Sequence, residues 1–247
     1  MSQSRHAALV YQRYELLRAL RNGRFLLFSL AFPLILYLVV AGPNRHERLA
    51  GIPFPVYYMA GMVGWGTMAA VVAAGGRIAM ERSAGWNRQL RLTPLTTRTY
   101  LRAKVLGGYM MAVFTIVLLY GAGLALGVRL PAGRWLDMTV LVLIGLIPFA
   151  ALGIWIGHLL SPEALGPVLG GITALFALLG GSWGPLASTG AMLQVSESLP
   201  SYWLVQAGRV AVTGTGWGMR GWVVIAAWTA VFTALAARAY QRDTRKV

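Results

Sequence analysis

Six long apolar runs, separated by short polar breaks, set the pattern of this sequence. They cover about residues 25–41, 54–80, 105–128, 138–160, 162–183 and 222–240, lengths suited to membrane-crossing helices. The first run, with Pro33 inside it, is at the short end, so its helix is expected to begin earlier, near Arg21. The second is long. At about 1.5 Å per residue it reaches about 40 Å, beyond the ~30 Å hydrocarbon layer. It should tilt or project from the lipid, carrying Arg77 and Glu81 with it. Residues 184–219 fit neither class. Gly184-Pro185 and Leu199-Pro200 break them, yet with Tyr202-Trp203 they are too apolar for a free loop, which predicts an interfacial segment anchored by aromatics. Residues 1–24 are basic and amphipathic: Ala7, Val10, Tyr14 and Leu17 share one helical face, with Gln12, Glu15 and Arg18 away from it. They predict a helix lying along the membrane surface.

The stretch from Glu81 to Lys104 is a basic island between the second and third runs. It holds Arg82, Arg88, Arg91, Arg98, Arg102 and Lys104, with Arg77 just before it and Glu81 as its one acid. The pattern predicts a short helix over Met80–Leu92, with Trp86 and Leu90 on one face and Glu81, Gly85 and Arg88 on another. Pro94 should end it near Thr93, and Thr96 or Thr97 can cap the next helix. A charged helix projected from a membrane on a turn is a docking element.

Charge distribution orients the spans. Sixteen Lys and Arg residues fall in the N-terminus, the 77–104 region and the tail from Arg238, against six on the other side. This excess places both termini in the cytoplasm. The net charge of +15 and pI near 11 would suggest nucleic acid in a soluble chain, but 57% hydrophobic residues and a mean hydropathy of +0.62 make it topology and contact with anionic lipid. Cysteine is absent, which removes disulfides and thiolate metal sites, and His6, His46 and His158 have no ligand spacing.

Glu81-Arg82, Gly85, Leu90 and the turn Leu92-Thr93-Pro94-Leu95 resemble the cytoplasmic signature of ABC-2 type permeases, the membrane halves of ATP-driven exporters. The order of spans extends the resemblance over nearly the whole chain; Trp86 departs from it, where the family commonly has a small polar residue. The resemblance implies an all-α membrane protein forming one domain over 1–247. It would have six transmembrane helices, an N-terminal amphipathic interfacial helix, a cytoplasmic coupling helix and turn at 81–95 between spans 2 and 3, and short re-entrant helices within 184–219. Two permease chains, in a homodimer or heterodimer, would join two ABC ATPase subunits in a bacterial cytoplasmic membrane. On that reading Glu81, Arg82 and Arg88 meet the ATPase through polar contacts, Gly85 allows close approach, Trp86 and Leu90 fill a groove on it, and Pro94 shapes the turn. ATP and Mg²⁺ would be bound by the partner, with no cofactor or metal in this chain. The cargo would be an amphipathic drug or secondary metabolite; export of lipid or lipid-linked polysaccharide by the same architecture is the alternative.

The chemistry the sequence lacks points the same way. All seven acids lie in loops or near span ends, so no carboxylate waits at the membrane midplane to bind a coupling ion. The chain has neither a P-loop nor a metalloprotease motif and is read as non-catalytic. If it moves a solute uphill, the energy comes from another chain. Two other classes stay open: a membrane scaffold that transports nothing, and an ion-coupled carrier. Small residues recur at helix-packing intervals (Gly123 with Gly127, Gly166 with Gly170, Gly180 with Gly184) and predict close contacts, chiefly within the chain.

Overall fold

The computed structural model describes residues 11–15, 17, 21, 30–49, 51–85, 96–186, 189–214 and 216–245. The protein is all-α; among the described residues there is one two-stranded hairpin, and five helical stretches are long and apolar enough to cross a membrane. In chain order the helices are α1 (Phe32–Ala41), α2 (Phe54–Gly76), α3 (Ile78–Ser83), α4 (Thr97–Ala125), α5 (Ala132–Gly145), α6 (Ile147–Leu159), α7 (Pro162–Gly180), α8 (Ala191–Glu197), α9 (Pro200–Thr213) and α10 (Met219–Arg245). The hairpin pairs β1 (Arg48–Leu49) with β2 (Ile52–Pro53) around Gly51, whose φ of 78° suits the turn. It occupies the break after the first apolar run, where only a loop was expected.

Helix α2 is the axis of the molecule. Pro55 lies in its first turn, where a missing N–H costs nothing. It is apolar all round, and 19 of its 23 residues are buried, because α1, α4, α6, α7 and α9 surround it. Tyr57, Tyr58 and Met62 belong to this core. In lipid the hydrophobic effect does not hold helices together; close packing does. Accordingly, glycines line the contacts: Gly75 of α2 meets Gly153 of α6, Gly61 meets the Ser182 backbone, and Gly208 of α9 meets Ala60. Of the anticipated glycine pairs, Gly123 packs on Met59 and Gly180 on Ser201, while Gly127, Gly166, Gly170 and Gly184 have nothing within 4 Å of where a side chain would start.

Helices α2 and α3 run on with only Arg77 between them, and Phe54–Ser83 forms a 30-residue rod that overshoots the hydrocarbon layer, as its length predicts. The helix of the third run starts at the cap that the sequence offered, eight residues ahead of the apolar part. Thr96 caps α4 by accepting from the Thr99 N–H, so the helix begins at Thr97 and carries its basic first turns unbroken into the apolar part. The fourth run is two helices, α5 and α6, parted at Leu146 ahead of Pro148, whose ring cannot continue the hydrogen-bond ladder. Gly181, at φ 74°, ends α7. The segment expected to re-enter the membrane holds α8 and α9. Helix α9 lies against α2, α5 and α7, fixed by Arg209, which donates to the Gly181 carbonyl at 2.9 Å and stacks 4.4 Å over the Tyr57 ring.

Candidate functional site

The Ser83 end of the rod is where polar chemistry gathers. Glu81 is 3% exposed. Its carboxylate accepts from the Tyr100 hydroxyl and from Lys104 Nζ, each at 2.5 Å. Tyr100 and Lys104, one turn apart on α4, face α3 together. Lys104 also donates to Glu15 at 2.7 Å, and its side chain is wholly buried. One ammonium therefore ties three segments: helical residues 11–15, α3 and α4.

Arg82 points to the opposite neighbours. Its guanidinium bonds both oxygens of Asp243 on α10, Nε at 2.5 Å and Nη2 at 2.8 Å, in the planar fork that arginine offers a carboxylate. Nη1 donates to the carbonyls of His158 at 2.8 Å and Gly157 at 3.3 Å. These belong to the last turn of α6, whose carbonyls have no partner within their own helix, so Arg82 caps α6 from outside. His158 Nδ1 lies 3.1 Å from Asp243 and completes the cluster. Two consecutive residues at the tip of the axial rod thus reach α4 and the N-terminal residues on one side, α6 and α10 on the other. The same cluster puts the Ser161-Pro162-Glu163 turn, which carries no cation, at this end of the bundle, next to His158.

The sequence expectations for this region meet mixed outcomes. Glu81 and Arg82, expected to contact a separate ATPase, have these polar atoms engaged inside the chain. A carboxylate buried this deeply beside α4 has lost its water and needs the ammonium and hydroxyl as partners. The expected continuous helix over Met80–Leu92 is corrected. It ends at Ser83, and Gly85 adopts φ 71° one residue past the cap, where a left-handed residue closes a helix. Gly85 therefore does not continue the helical face that carries Glu81. Trp86, Arg88, Leu90 and Pro94 lie outside the described residues, as does most of the 1–24 surface helix. Of that helix, Tyr11 and Glu15 turn into the bundle, while Tyr14 and Leu17 are exposed on the expected apolar face.

Sequence reasoning missed Glu15, Lys104, His158 and Asp243. The available signal was Lys104, a cation at the mouth of an apolar run and one turn beyond Tyr100. Nothing local named its partner Glu15, 89 positions away, and Arg82 and Asp243 are 161 positions apart.

A family profile described as ABC-2 family transporter protein matches residues 54–238. A curated protein of Bacillus subtilis (strain 168), named as the transport permease YvfS, is 32% identical over 195 residues, covering 76% of this chain and 78% of its own. The matched family region takes in Glu81, Arg82, Lys104 and His158 and stops short of Glu15 and Asp243.

Proposed function

This chain belongs to the ABC-2 transporter family, a multi-pass membrane transporter subunit of the kind that works with ABC ATPases, and on that premise we propose that it is the permease of an ATP-driven exporter, taking its mechanical work through the segment that leaves the rod at Gly85. One observation carries the reading: the Glu81–Arg82 pair ties the rod's tip to α4, α6, α10 and the N-terminal residues. A push on residues 85–95 by a partner ATPase would reach most of the bundle as a rigid-body displacement. Glu81 and Arg82 then act as positioning residues that hold the elbow, and the contacts to the ATPase fall to the residues that follow, Trp86, Arg88, Leu90 and Pro94.

The gathering of Glu15, of Arg82 and Lys104 from the basic island, and of Asp243 near the end of α10 at one end of the bundle supports a cytoplasmic location for both termini. Pairing with a second permease chain is supported by the bareness of α7 and α10, only 17% buried along their apolar windows in a single chain. The proposed cargo is an amphipathic drug or secondary metabolite, which such a dimer would pass along its seam.

The test is reconstitution of the chain with its native ATPase in sealed vesicles. Uphill transport is expected only with both chains present; accumulation by the permease alone would overturn the proposal. Gly85→Val sharpens it. A Cβ there meets nothing within 4 Å among the described residues, so the change acts chiefly on backbone conformation, at a cost of about 1–2 kcal/mol. Insertion should be unchanged and melting fall by only a few degrees, while transport and cargo-stimulated ATP hydrolysis fall on the order of tenfold, equivalent to about 1.4 kcal/mol. Undiminished transport by this variant would remove Gly85 from the coupling path.

A further inference from the structure

The ends of α6 and α10 enclose an open groove of about 430 Å³ beside the Arg82–Asp243 pair. Its lining changes character along α10. Leu235 comes first, opposite Trp155 of α6; Arg238 follows one turn later and Arg242 one turn after that. At about 1.5 Å per residue, apolar gives way to cationic within about 10 Å, the distance over which acyl chain gives way to headgroup at a bilayer surface. The one acid in the lining, Asp243, is already bonded by Arg82. Among the described residues, Arg238 and Arg242 make no hydrogen bond or ion pair, and both are exposed.

We propose that this groove is a binding site for one anionic phospholipid, its phosphodiester held by Arg238 and Arg242 and an acyl chain lying against Trp155 and Leu235. Charge complementarity selects an anion, and depth selects a lipid. Trp155 and Leu235 lie farther than the arginines from the ends of two helices long and apolar enough to cross a membrane, so an occupant that touches both reaches toward the hydrocarbon layer, where an acyl chain fits and a free phosphate does not. The lipid would sit against the hub that joins α3, α6 and α10, where its presence would stiffen their contact. This inference does not depend on the exporter reading.

The experiment compares the full chain with Arg238→Gln/Arg242→Gln in nanodiscs of phosphatidylcholine containing increasing phosphatidylglycerol, by native mass spectrometry and thermal melting. Wild type should retain one phosphatidylglycerol and melt higher as its fraction rises. With each cation contributing about fivefold to attraction of an anionic lipid, the double variant should retain on the order of twentyfold less. It should melt like wild type in pure phosphatidylcholine, which shows it is folded. Arg129→Gln/Arg134→Gln, at the opposite end of the bundle, should retain lipid normally. Equal retention by wild type and Arg238→Gln/Arg242→Gln would overturn the site. So would full stabilisation of wild type by inorganic phosphate in phosphatidylcholine discs, or loss of ATPase co-purification from the variant with lipid retention unchanged, which would assign these arginines to a protein partner.

Discussion

Lys104→Met is expected to lower the melting temperature of the detergent-solubilised protein by on the order of 10 °C, without preventing membrane insertion. The lysine side chain is wholly buried, and its two carboxylate partners, Glu15 and Glu81, are 2% and 3% exposed. Methionine matches the aliphatic stem but leaves both acids facing each other without the ammonium. Removing one member of a buried ionic cluster typically costs about 3–5 kcal/mol, mostly as the penalty of a charge left desolvated. For a chain of this size each kcal/mol shifts melting by about 2–4 °C. Two companions separate this account from simple loss of packing. Lys104→Met combined with Glu15→Gln and Glu81→Gln should recover much of the loss, because neutral amides no longer need the cation. Raising salt should leave the wild-type melt nearly unchanged, since a pair this deep is poorly screened. Tryptophan fluorescence during a thermal ramp reads all three. If Lys104→Met melts within a degree or two of wild type, the cluster contributes little and the rod's tip is held by other contacts.

How much of this was legible beforehand depends on the range of the interaction. Five of the six expected spans could be read because lipid forces every backbone group to bond within its own helix, so an apolar run of sufficient length has few alternatives. Thr96 and the broken 184–219 segment were likewise readable, from local chemistry. The split at Leu146 was hidden because one proline in a long apolar run reads as a tolerated kink. The elbow was misread for a related reason: Gly85 inside a 3.6-residue pattern looks permissive, and only the backbone shows it at φ 71°, ending the helix. The partners of Glu81 and Arg82 were out of reach, since the residues they bond come from three other helices, α4, α6 and α10. Charge patterning identified this end of the protein as the polar one; it could not say that its first acid and first arginine face inward.

The glycines show the same limit and lead to the second large effect. Gly153→Val is expected to abolish the folded, monodisperse protein. A Cβ at position 153 would stand 2.6 Å from the Val72 carbonyl oxygen and 2.9 Å from Val72 Cα, and one at position 157 would stand 2.5 Å from the Gly75 carbonyl oxygen. These are backbone atoms of the axial helix, so no rotamer change relieves the clash; α6 must move away from α2. Overpacking ordinarily costs about 1–3 kcal/mol, and here the neighbour cannot yield, which puts the cost at or beyond that range. The damage also spreads along α6. The Gly157 carbonyl accepts from Arg82, and the His158 ring contacts Asp243, so a displaced α6 loosens the clamp on the rod's tip together with the helix seam. Sequence spacing singled out Gly166 and Gly170, which meet nothing within 4 Å, and passed over Gly153 and Gly157 at the same interval. That contrast supplies the control. Gly166→Val should elute and melt as wild type in detergent, whereas Gly153→Val should aggregate or elute broadly on size-exclusion chromatography. Equal behaviour of the two variants would mean that α2 and α6 do not cross at backbone contact, and that the axial packing proposed as the route for mechanical work is not the one the protein uses.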